Sequence, residues 1–277
     1  MPRATFPAWH THPDAWALMG AIELAYLLAV RRRQPGEVIK RRQIALFSGG
    51  VFVMLLASDY PIHDLAEHYL YLVHMIQHLL LTLVAAPLLI MGTPEWMARR
   101  VLKKTRLLPA VRWLCRPVIG LIQFNVILVL SHWPFIVDYT LQHHAWHFVA
   151  HAVLLSSAIL MWMVVVSPLP EVPQARPPTK MLYLFLQTIV PTVPASFLTF
   201  GTTPLYKFYE HVPRLYGISA VTDMQISGLI MKIVGGFYFW TVIGVIFFRW
   251  YNAEEKTSGE VLLWEDVERE LKQFGPS

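Results

Sequence analysis

The sequence predicts an all-α, polytopic membrane protein: a bundle of seven transmembrane helices, amino terminus outside and carboxyl terminus cytoplasmic. Three observations carry this expectation: an apolar composition, seven separate runs of spanning length, and a one-sided distribution of Lys and Arg. Of 277 residues, 55% are hydrophobic and only 15% charged, and mean hydropathy is +0.45. A water-soluble domain of this length is less apolar.

Crossing the hydrocarbon core takes roughly 20 apolar residues per helix. The runs are 14–30, 43–58, 67–91, 117–137, 141–166, 180–200 and 220–250. The second is short, and its Gly49 and Gly50 suit a membrane helix better than a soluble one. Pro87 in the third run and Pro191 and Pro194 in the sixth should kink their helices. Residues 94–108 set Trp96, Met97, Val101 and Leu102 against a basic face, which predicts a short helix on the anionic inner surface. Residues 167–180 carry five prolines and predict a stiff, extended inner linker. Residues 1–250 then form the membrane domain. Residues 251–277 form a cytoplasmic tail, where the spacing of Trp264, Val267, Leu271 and Phe274 predicts a short amphipathic helix. The segment ahead of the first run lacks the features of a cleavable signal peptide, so the first span is expected to anchor the chain.

Lys and Arg accumulate in short cytoplasmic loops. With the amino terminus outside, the first inner loop holds Arg31, Arg32, Arg33, Lys40, Arg41 and Arg42, and the second holds Arg99, Arg100, Lys103, Lys104, Arg106, Arg112 and Arg116. Only Arg3, Lys207 and Arg214 fall in outer segments. The net charge of +5 therefore reflects topology and lipid contact, and no nucleic-acid partner is expected. Cys115 is the sole cysteine. Intrachain disulfides and thiolate-paired metal sites are excluded, and a packed free thiol is expected.

The 12 histidines all fall on or near the outer side of this topology. In EHYLYLVHMIQHLLLTLVAAPLLI, His74 and His78 stand four residues apart, as do His147 and His151 in the fifth run. Each pair therefore projects from one face of its helix. At a rise of about 1.5 Å per residue, His74 and His147 lie roughly 10 Å deep and His78 and His151 roughly 15 Å deep. The two runs point the same way, so contact needs parallel packing. Imidazole in a membrane calls for a hydrogen-bond partner, a cavity or a metal, and Glu67, Tyr71 and Gln77 are local partners. Neutral imidazole suits copper, zinc and iron, and Met75, Met224 and Met231 are candidate soft ligands for Cu(I). Glu23 and Lys232 are ionisable groups inside spans, expected as an ion pair.

The ordered segments HDLAEHYLYLVHMIQHLLLTLVAAPLLIMGTP, HWPFIVDYTLQHHAWHFVAHAVLLSSAILMW, TFGTTPLYKFYE and TDMQISGLIMKIVGG resemble the seven-span CtaG-type cytochrome c oxidase assembly proteins. The resemblance covers most of the chain. It implies a multi-pass protein of the bacterial plasma membrane, needed to form an active haem-copper oxidase and acting in copper delivery to its subunits. By position, the family's histidine-rich segments correspond to His63, His68, His74, His78, His132, His143, His147 and His151, with Asp223, Met224 and Met231 in the last segment. One departure is Lys232 and Val234, where the family pattern has an apolar or aromatic residue and a proline.

The sequence thus points to a non-enzymatic assembly factor. His74, His78, His147 and His151 form its expected copper site, with His68, His132 and His143 orienting ligands or receiving the ion at the entrance. An alternative is a b-type haem or quinone-linked electron-transfer protein with axial histidines from two helices. Haem sites at two depths would be needed, and the histidines sit on one side. A transporter would need polar groups continuing inward; Asn125 and Gln187 are present, but neither is ionisable.

Overall fold

The computed structural model describes residues 9–258 together with 268, 269, 271 and 272. Every regular element among them is helical. In chain order they are α1 Pro13–Arg31, α2 Arg41–Ser58, α3 Ile62–His68, α4 Tyr71–Gly92, α5 Glu95–Lys104, α6 Leu108–Leu114, α7 Pro117–Ser131, α8 Pro134–Leu141, α9 His144–Val166, α10 Pro177–Gln187, α11 Thr192–Phe200, α12 Phe208–His211 and α13 Ala220–Ser258. The expected tail helix lies almost wholly outside the described residues.

Among the described residues, five helical stretches are long and apolar enough to cross a membrane: α1, α4, α9, α10 with α11, and α13. The number rises to seven if two bent pairs each count as one span: α2 with α3, at 40°, and α6 with α7, at 87°. The central helix is α4. Of its apolar window 61% is buried within the protein, against 17% for α1. It packs on α2, α9 and α13, while α7 covers α9, and α10 and α11 cover α13.

Small residues let the backbones approach. A Cβ on Gly92 would lie 2.6 Å from the Cα of Phe47, and Tyr26 Oη donates to the Gly92 carbonyl at 2.9 Å. A Cβ on Gly50 would meet the Leu89 side chain at 2.9 Å, a looser approach, and Gly49 has open space around it.

Proline sets several boundaries away from where hydropathy alone puts them. The fourth run does not continue to 137. His132 ends α7, Trp133 is extended, and Pro134 opens α8, because the residue before proline is pushed out of the helical region. The sixth run breaks at Thr188–Pro191 into α10 and α11, as its prolines predict. In α4 the ring at Pro87 is absorbed by a π-helical stretch at Leu80–Ala85, which accommodates the missing N–H. It presents the Thr82 carbonyl to Trp162 Nε1 of α9 at 2.9 Å. The third run starts late. Leu70 is extended and Glu67 belongs to α3, so the helix restarts at Tyr71.

The histidines and most of the basic residues separate to opposite ends of the bundle. At the basic end Arg99 grips Glu171 through two hydrogen bonds of 2.6 and 3.1 Å and also pairs with Glu95, and Arg100 reaches Glu37 at 2.5 Å. The segment 167–176 is therefore not the extended linker that its prolines suggested. Leu169 and Val172 are each only 2% exposed, and the Ala175 amide bonds the Val164 carbonyl at 2.9 Å. Burial of these two apolar residues folds the segment back over the end of α9. Cys115 is a buried free thiol facing the Leu160 carbonyl.

Two outcomes test this packing. Gly92→Ala should destabilise the detergent-solubilised protein by about 1–3 kcal/mol through overpacking against the Phe47 backbone, whereas Gly49→Ala should be neutral; thermal unfolding reads both. The hydrogen bonds from Arg99 hold the Glu171 carboxyl below its ordinary value. Its contribution is full above the unfolded value of about 4.3 and is lost as pH falls through the lower folded value. Hydrogen-exchange protection in residues 167–176, taken relative to the unstructured rate at each pH, should therefore stay constant from neutral pH to about 5 and fall only below about 4.

Candidate metal centre

Two helices deliver four imidazoles in one register. His74 and His78 follow the first residue of α4 by three and seven positions, and His147 and His151 follow the first residue of α9 by the same steps. His74 and His147 therefore lie about 5 Å below the helix starts, and His78 and His151 about 10 Å. This is shallower than expected, because both helices begin later than their apolar runs. The parallel packing that contact requires is present.

The nitrogens converge. His78 Nε2 lies 3.0 Å from His151 Nε2, which lies 3.1 Å from His147 Nε2. The His74 ring is 4.3 Å from His78, 5.4 Å from His147 and 5.6 Å from His151, centre to centre. One nitrogen apiece from His74, His147 and His151 falls within a common 4.8 Å. His74, His78 and His147 are buried and His151 is half-buried.

Protons alone satisfy this arrangement poorly. Glu67 Oε1 accepts from His147 Nδ1 at 2.5 Å, which leaves the Nε2 of a neutral His147 bare and aimed at His151. One N–H on His151 then has to serve two acceptors, or a cation takes its place. His74 Nδ1 and His78 Nδ1 are buried with no hydrogen-bond partner. Bonds of about 2.0–2.1 Å from imidazole to a metal put ligand nitrogens about 3.3–3.6 Å apart, so a small expansion would admit an ion. The carboxylate behind His147 is the outer-shell partner that metal-binding imidazoles ordinarily have.

The remaining candidates divide. His132 is buried 5.5 Å from His78, centre to centre, with Nδ1 on the Leu128 carbonyl at 2.7 Å and Nε2 unpartnered. Met75 and Met231 line a cavity of about 50 Å³ with His78 and His132. Met224 is occupied elsewhere, since its sulfur accepts the Leu205 amide at 3.1 Å. His143 is exposed, with Nδ1 on the Tyr139 carbonyl at 2.8 Å and its ring stacked on Tyr139. His68 is exposed in the wall of an open pocket with His10, His12, Asp64 and His211. The structure does not bring His68 and His143 into the cluster.

Glu23 and Lys232 do not form the expected ion pair. Each has a different neighbour: Glu23 Oε1 accepts from Ser48 Oγ at 2.6 Å while Oε2 is buried without a partner, and Lys232 donates to Thr192 Oγ1 at 2.5 Å across the break between α10 and α11. Asn125 and Gln187 bond each other at 2.6 Å.

Asp223 has a structural role that the sequence did not disclose. Fully buried on α13, it accepts the Tyr71 and Leu72 amides at 2.8 and 2.9 Å, with Arg214 at 3.8 Å. It thereby caps α4 from another helix and fixes where His74 and His78 begin to count. A lone carboxylate among the apolar residues of the last run was the available signal. Gln77 ties the other side of α4, donating to the Ala57 carbonyl at 2.7 Å. Asp223→Ala should cost about 1–3 kcal/mol by stranding two buried amides, and hydrogen exchange at Tyr71 and Leu72 should accelerate more than exchange in α9.

A family model described as cytochrome c oxidase caa3 assembly factor (Caa3_CtaG) matches residues 24–253. No curated protein and no solved structure matches the chain. The match runs from within α1 to within α13 and includes all four clustered histidines. The chain belongs to the cytochrome c oxidase caa3 assembly factor family.

Proposed function

We propose that this protein binds copper in the cluster of His74, His78, His147 and His151 and holds or delivers it for assembly of a haem-copper oxidase. The observation that carries the reading is the convergence of the His78, His147 and His151 Nε2 atoms at 3.0 and 3.1 Å. Family membership supplies the client class, the oxidase. The donor set supplies the metal class, since buried neutral imidazoles without thiolate suit copper in an oxidising compartment. Copper here is cargo, and no catalytic step is assigned. Glu67 orients His147, and His132, Met75 and Met231 adjoin the cluster on the side away from Glu67 as candidate secondary ligands.

The topology that fits this reading has seven spans in a bacterial plasma membrane, with α2–α3 and α6–α7 as bent spans. The histidine end faces outward and the basic end faces the cytoplasm. The carboxyl-terminal tail then projects inward. Oxidase subunits inserted in the same membrane reach the cluster from its outer side.

Detergent-purified protein should carry about one copper per chain, show no haem Soret band, and lose its copper in His78→Ala/His151→Ala while inserting normally. Copper retained in that variant would remove the site assignment. A Soret band would favour electron transfer through b-type haem instead.

A further inference from the structure

Outside the buried cluster, three side chains at its mouth form a second set of metal-ligand geometry. His63 and Glu67 stand four residues apart on α3, and His144 opens α9 beside them. One ligand atom from each falls within a common 4.8 Å. The His63 and Glu67 side chains are 13% and 15% exposed, whereas His144 is 69% exposed. The set is therefore rooted in the protein and open on one side.

Its neighbours connect it in both directions. Toward the surface, the His63 ring meets His12 edge to face at 4.8 Å, and His12 Nε2 lies 3.1 Å from Asp64 Oδ2 in the wall of the open pocket. Toward the interior, Glu67 Oε1 is shared: His63 Nε2 lies 3.4 Å from it and His147 Nδ1 2.5 Å. The His63 and His147 rings are stacked 6.4 Å apart. Asp14 lies 3.8 Å from His144 Nε2 and adds negative charge at the rim.

We infer that His63, Glu67 and His144 form a second metal station, a loading site from which a transition-metal cation passes to His147. The inference rests on the buried cluster being a metal site. The two stations differ in chemistry. The outer one combines two imidazoles with a carboxylate and keeps an open side for water or an incoming carrier's ligand, as exchanging sites do. The inner one is all imidazole and closed. Glu67 is the hinge between them: it ligates in the outer station and orients His147 in the inner one, so an ion moves by stepwise ligand exchange without crossing apolar surface.

The test is equilibrium dialysis of the full detergent-purified chain against Zn(II), which suits both donor sets, with elemental analysis. Wild type should hold two zinc ions per chain, His63→Ala/His144→Ala one, and His78→Ala/His151→Ala one. A wild type that holds a single ion, kept by the first variant and lost by the second, overturns the station and leaves the buried cluster standing. Loss of one ion from the first variant with two kept by the second leaves a metal site at His63, Glu67 and His144 but removes the cluster, and with it the loading role. His144→Ala alone replaces an exposed side chain and so reads the station without threatening the fold. It should weaken one of the two sites by more than the roughly 10–100-fold that loss of an outer-shell partner costs; unchanged affinity at both sites contradicts the proposal.

Discussion

Imidazole nitrogens placed below the end of an apolar bundle must find partners, and here their partners are mainly one another and one carboxylate. This constraint orders much of the molecule. The register of His74 and His78 against His147 and His151 is useful only if α4 and α9 start at matched heights. Asp223 supplies the start of α4 by capping it from α13. The π-helical stretch then lets α4 pass Pro87 and bond α9 through Thr82 and Trp162. A break at Tyr69–Leu70 lets α3 turn away, so that Glu67 points back at His147.

The separation of imidazoles from guanidinium groups follows from the same economy of charge. Arg99, Arg100, Glu95, Glu37 and Glu171 pair among themselves at the end far from the cluster. Apart from Arg214 against Asp223, the cluster end relies on His and carboxylate groups. An end rich in neutral imidazole and carboxylate attracts a metal cation, while a screen of Arg and Lys would repel one.

The sequence made the main features legible because they rest on periodicity. Hydropathy located α1, α4, α9 and α13, and the four-residue spacing paired the histidines on the correct faces. What it could not locate were breaks decided by tertiary contacts. Glu67 reads as the start of a span until Asp223 is seen capping Tyr71. The prolines of 167–176 suggest an extended strap until Leu169 and Val172 are seen buried. Among the histidines next to the cluster, His143 and His144 are indistinguishable by spacing alone. Only the turn that precedes α9 places His143 on Tyr139 and His144 beside His63. Glu23 and Lys232 look like partners because each is a lone charge in an apolar run, yet each finds a nearer hydroxyl.

In the proposed copper site the donor set is nitrogen, supplied by α4 and α9. X-ray absorption spectroscopy on the protein loaded with one equivalent of Cu(I) tests it most directly. Three or four nitrogen scatterers at about 2.0 Å, with imidazole outer-shell features that disappear in His78→Ala/His151→Ala, are the result this account predicts. A first shell dominated by sulfur, or a nitrogen shell that survives the double substitution, would contradict it.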